Sequence, residues 1–148
     1  MPKGTCSIAR IGGLKPSSRR AVAFLVRNGG FNGKSAFDKL SSARDIQVRN
    51  RFDHWIDGNT CDKYFHGWRD ANYRHCFCFR WKEKRIHQRF YGFTCNPNPD
   101  DKRFELCILV SYTAKTAEDT DLTILDEINR LRSDPDVDAA IQRYLEGK

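Results

Sequence analysis

The sequence predicts a single α+β domain on a mostly antiparallel sheet, with elements in the order β-α-β-β-β-α-α and helices packed on one face. Three observations carry this. Residues 73–93 alternate aromatic and cationic side chains with the period of two that a strand imposes. Phe104-Glu-Leu-Cys-Ile-Leu-Val-Ser-Tyr112 is apolar nearly throughout, as a central strand covered on both faces must be. Two capped helical stripes then close the chain.

The elements follow in order. Gly12-Gly13, Pro16 and Ser17-Ser18 are turn formers, so residues 1–20 are expected to be a flexible basic arm and 21–148 the folded domain. Ala21-Val-Ala-Phe-Leu-Val26, closed by Asn28-Gly-Gly30, predicts a buried strand. From Ser35 onward Phe37, Leu40, Val48, Phe52, Trp55 and Ile56 recur at helical spacing, with a break allowed near Ser41-Ser42 and Gly58 as the stop. Residues 59–72 are polar and irregular, with Tyr64, Phe65 and Trp68 folding back on the core. The hairpin of 73–93 comes next, and Asn96-Pro-Asn-Pro-Asp-Asp101 is a loop. After the central strand, Thr120 or Asp121 caps the stripe Leu122, Leu125, Ile128, Leu131. Ser133 or Asp134, with Pro135 at the first helical position, caps Val137, Ala140, Ile141, Tyr144.

Composition narrows the function. The net charge is +7, and it is uneven: residues 1–100 hold 19 Lys or Arg against 8 Asp or Glu (+11), and residues 101–148 hold 7 against 11 (−4). A basic body of this kind suits a polyanion, and RNA is the leading candidate. No run of about 18 apolar residues exists, so no membrane span is expected. Residues 1–37 hold seven Lys or Arg and no acid, faintly like a transit peptide, but without its apolar helical stripe. The six cysteines, with no apolar leader segment, are expected to be reduced thiols in a cytoplasmic protein. Cys61, His66, His75, Cys76, Cys78 and Cys95 lack the paired spacing of a zinc site, so neither a metal nor another cofactor is expected.

The hairpin supplies the candidate chemistry. On its first strand Tyr73, His75, Phe77, Phe79 and Trp81 form an aromatic, core-seeking face, against Arg74, Cys76, Cys78, Arg80 and Lys82. On the second strand Arg85, His87, Arg89, Tyr91 and Phe93 share a face. Arg89 and Tyr91 lie about 7 Å apart along the strand, within reach of one phosphate. His87 is the natural proton-transfer residue, because imidazole titrates near neutrality. Arg74 and Arg80 suit RNA-backbone binding. Each of these has a plain structural alternative as a solvated strand residue. His54, His66 and His75 are read as packing histidines, and Cys76 and Cys78 as small residues under a helix.

Four segments resemble the RelE/HigB-like toxins of bacterial toxin–antitoxin pairs. Arg51-Phe-Asp-His-Trp-Ile-Asp-Gly58 resembles the end of the family's helix, and Asn72-Tyr-Arg74 the start of its Arg-bearing strand. Arg89-Phe-Tyr-Gly-Phe93 resembles the next strand, and Leu109-Val-Ser-Tyr-Thr-Ala-Lys-Thr116 the strand that ends in a Lys-Thr element. Family toxins are usually shorter, and the element that often carries two lysines reads Ala114-Lys115 here. The resemblance implies a metal-independent mRNA endonuclease, often acting at the ribosome and neutralised by an antitoxin protein. On that reading His87, Arg89 and Tyr91 are catalytic, and Arg74, Arg80, Lys82 and Lys115 bind RNA. Two other classes stay open: a non-catalytic nucleic-acid-binding protein that stacks bases on Tyr91 and Trp81, and a mobile-element adaptor or ligand-binding protein. The acidic C-terminal helices are suited to repel RNA or to dock on the basic body of a second copy, which allows a homodimer.

Overall fold

The computed structural model describes residues 6–15, 17–27, 30–116 and 121–147. The chain runs β1 (Cys6–Arg10), β2 (Arg20–Arg27), α1 (Gly33–Asp38), α2 (Ser42–Ile56), β3 (Phe65–Gly67), β4 (Cys76–Glu83), β5 (Ile86–Cys95), β6 (Glu105–Lys115), α3 (Leu122–Arg132) and α4 (Pro135–Leu145). A single 3-10 turn, Ala71–Tyr73, precedes β4. The strands form one sheet in the order β1-β2-β6-β5-β4-β3. β2 and β6 run parallel and every other neighbouring pair is antiparallel, so the domain is α+β with a mixed, mostly antiparallel sheet.

The helices cover both faces of this sheet, which corrects the expectation of one covered face. α1 and α2 bury Phe37, Val48, Phe52 and Trp55 against Phe24, Phe79, Phe90 and Leu109. α3 and α4 bury Leu125, Ile128, Val137 and Ile141 against Leu25, Cys78, Tyr91, Phe93 and Ile108 on the opposite face. The physical reason lies in the central strands. Ala23, Phe24 and Leu25 of β2 and Leu106 to Val110 of β6 have no exposure at all, so both alternating sets are apolar and each needs a cover. An amphipathic helix shows which of its own faces turns inward, but not which side of the sheet it lands on.

Local chemistry sets the helix ends. α1 ends at Asp38 with Lys39 as its C-cap, and Ser41 caps α2 by accepting from the Arg44 backbone N–H, so the allowed break near Ser41-Ser42 is present. Asp121 and Asp134 cap α3 and α4, with Pro135 in the first turn of α4. The aromatic core under α1 and α2 is edge-packed, with Phe52 and Phe79 at 4.8 Å between centroids and Phe24 and Phe90 at 5.5 Å.

Two strands escaped the sequence reading. Residues 6–10, placed within a flexible arm, form the outer strand β1 paired with β2. Cys6 is fully buried, and its sulfur accepts from the Arg27 guanidinium at 2.9 Å. Its carbonyl accepts from Arg143 at 2.9 Å. β3 is only three residues long, too short for a period-two pattern to register. Residues 1–5, Pro16, the Asn28-Gly29 pair and the alternative cap Thr120 lie outside the described residues.

Candidate functional site

The β4–β5 hairpin turns at Lys84, which takes a left-handed backbone with φ 56°. The strand begins at Cys76, so Tyr73, Arg74 and His75 precede it rather than belong to it. Within β5 the register to β6 shifts between Tyr91 and Gly92, a bulge. Gly92 is required there, because a Cβ would overlap the Ile108 carbonyl.

Directly opposed residues on neighbouring strands share a sheet face. Lys82, His87 and Lys115 form one such row across β4, β5 and β6; Arg80, Arg89 and Thr113 form the next; Cys78, Tyr91 and Ser111 form a third. Strands are about 4.8 Å apart and rows about 7 Å, so these cationic groups occupy one compact patch. Six of the seven residues singled out in the sequence therefore share one face. Arg74 is the exception: it lies beyond the other end of β4, with its Nε 3.2 Å from His75 Nε2.

Burial grades along this face. Cys76 and Phe93, 1% and 0% exposed, lie in the core that α3 and α4 cover. Tyr91 and Arg89 follow at 0% and 4%. His87 and Lys115 are partly exposed and Lys82 is exposed. The expected cationic face is thus cationic only toward the hairpin turn, because its other half is core. Tyr91 and Arg89 lie beneath the surface, with Arg89 Nη1 donating to the Tyr91 hydroxyl at 3.1 Å. Removing Arg89 consequently disturbs a buried polar contact, which rules out the alternative of a solvated strand-edge arginine.

Arg80 reaches sideways to the sheet edge. Its Nη2 donates to the Asp62 carbonyl, and its own carbonyl accepts from Arg51 Nη1. Arg51 lies over the Tyr64 ring at 4.5 Å.

The structure adds His66 and Trp68 to this face. His66 opposes Cys78 across β3 and β4, with Nε2 3.3 Å from the Cys78 sulfur. Nδ1 donates to the Gly67 carbonyl at 3.0 Å, which leaves Nε2 to accept from the thiol. Burial lowers the His66 pKa, and Arg80 and Arg89 lower it further against the Gly67 bond. Burial pushes the Cys78 thiol up to about 12 despite the same two arginines. The pair is therefore neutral imidazole and protonated thiol. The Trp68 ring lies 4.7 Å from His66 and 6.2 Å from Tyr91. Only the aromatic and cationic residues around a three-residue strand could have signalled this, and they carry no period.

All six cysteines are free thiols. Burial lifts Cys76 to about 11 and Cys95 to about 12, so neither is a nucleophile at neutral pH. Among the described residues no group of three or more His, Cys, Asp or Glu side chains is placed to hold a metal ion. Nor is any helix among them long and apolar enough to cross a membrane. No family model matches the chain, and neither a curated protein nor a solved structure matches it.

Proposed function

We propose that this chain is a RelE/HigB-like, metal-independent mRNA endonuclease of the cytoplasm, acting on ribosome-associated message and restrained by an antitoxin protein. The observation that carries the reading is the row Lys82, His87, Lys115, backed by Arg80 and Arg89 one row behind. Cleavage of this type activates a ribose 2′-OH for attack on the adjacent phosphate and protonates the departing 5′-oxygen. His87 transfers the proton. Lys82 and Lys115 flank it at strand spacing and meet the charge growing on the phosphate. Arg89, oriented by Tyr91, adds fixed positive charge from below.

Three of the four resembling segments fall on the kind of element the resemblance implies. Arg51 to Gly58 covers the end of α2, Arg89 to Phe93 lies in β5, and Leu109 to Thr116 covers the end of β6 ahead of α3, whereas Asn72 to Arg74 precedes β4. The non-catalytic alternative required Tyr91 and Trp81 as stacking platforms, and these are 0% and 3% exposed. The adaptor alternative required scattered basic residues, whereas these occupy adjacent register positions.

Tightly induced expression in a bacterial host, with growth followed and mRNA ends mapped, tests the proposal. The wild type should arrest growth and create new internal mRNA ends. His87→Gln, at a partly exposed position, should fold normally and lose about 10²- to 10⁴-fold in cleavage. Normal growth with intact mRNA and abundant folded wild-type protein refutes the nuclease reading.

A further inference from the structure

A cavity of about 750 Å³ lies at the end of the sheet remote from His87, wrapped around the β3 edge. That volume falls within the roughly 300–1,000 Å³ of sites that enclose small organic ligands. Its aromatic wall comprises Trp55, Phe65, Phe77 and Trp68. Its cations are Arg20, Arg69, Arg74 and Arg80. Arg20 is already committed: it lies over the Trp55 ring at 4.6 Å and pairs with Glu105 at 3.4 Å. Arg69, Arg74 and Arg80 have no carboxylate partner among the described residues; Arg74 bonds His75 and Arg80 bonds the Asp62 carbonyl. Asp62 is the remaining carboxylate on the lining, and it is exposed.

Three uncompensated guanidinium groups beside flat apolar rings are the recognition chemistry of a nucleotide: phosphate for the forks, a base for the rings. Arg80 and His66 line this cavity and also belong to the His87 face, so the two regions meet at the β3 edge. From Lys82 back to Cys76 the strand spans about 20 Å, which a few nucleotides of extended RNA cover. We infer that the cavity is a second subsite that holds an unpaired nucleotide of the strand being cut, its base on Trp68 and its phosphate on Arg69 and Arg74. This rests on the RNA reading above. The subsite anchors the strand a few nucleotides from the scissile phosphate, so it contributes affinity and register rather than bond breaking.

The test is titration of the full chain with a single-stranded 2′-O-methyl RNA oligonucleotide, which lacks the attacking hydroxyl, followed by tryptophan fluorescence. Binding should quench the fluorescence, and Trp68→Phe should remove most of that quench. The double variant Arg69→Ala/Arg74→Ala should weaken binding roughly ten- to hundredfold, the scale of losing one stacked, phosphate-anchored nucleotide. Lys102→Ala/Arg103→Ala, which removes the same charge from an exposed loop, should leave Kd unchanged. Equal losses in the two double variants, or none in the first, overturn the subsite while RNA binding itself stands. A wild-type chain that binds no RNA at all overturns both the subsite and the nuclease reading.

Discussion

The two ends of the β4–β5 pair begin from the same alternation and finish in opposite states. Toward Cys76 and Phe93 the α3 side of the pair is sealed core; toward Lys82 and His87 the same side is cationic and exposed to partly exposed. The bulge at Tyr91/Gly92 lies between them. The difference teaches that a strand face is not one environment. Burial stops between Arg89 and His87 on β5, and the residue types change along the face from Cys and Phe to Lys and His. Packing and charge are therefore separable along a single pair of strands.

Breaking the closed end should have the largest effect. Phe93→Ala removes a fully buried ring and should cost about 3–5 kcal/mol, read by urea denaturation. A loss under 1 kcal/mol would mean that this end is not packed as described. The open end should answer differently. Lys82→Ala/Lys115→Ala should keep stability within about 0.5 kcal/mol. It should lower the salt dependence of RNA binding by about 0.7 in log–log slope per cation. An unchanged slope would separate these lysines from the phosphates.

The mildest change comes from pH. Burial holds Cys76 near 11 and Cys78 near 12, above the roughly 8.5 of an unfolded thiol. Groups raised in the fold contribute stability that is complete below the unfolded value and lost as pH climbs toward the folded one. Thermal melts should therefore decline from about pH 9 upward, and Cys78→Ala should soften that decline. A variant whose alkaline decline matches the wild type would place the cause elsewhere.

Much of the fold was legible. The apolar run at 104–112 announced β6, and the capped stripes announced α3 and α4 because Asp121, Asp134 and Pro135 act locally. The hairpin alternation grouped Arg80 with Lys82 on β4 and His87 with Arg89 and Tyr91 on β5, and the register across the turn at Lys84 brings the two sets onto one face. What was not legible is what depends on distant partners. β1 is held by pairing to β2 and by Arg143, β3 is three residues long, and the side chosen by each helix pair is a tertiary decision. The burial of Tyr91 and Arg89 and the recruitment of His66 and Trp68 follow from those same distant contacts.

β6 lies between β2 and β5, and it is the last strand among the described residues. Ala21 must wait for Leu106, and Arg89 for Thr113, before either finds its neighbour. Until β6 is made, β1–β2 and β3–β4–β5 have no strand to join them. Such long-range closure is slow relative to local folding. The row Lys82, His87, Lys115 cannot assemble while its third member is still inside the ribosome, so on the proposed nuclease reading a newborn chain stays inert until translation of β6 is complete.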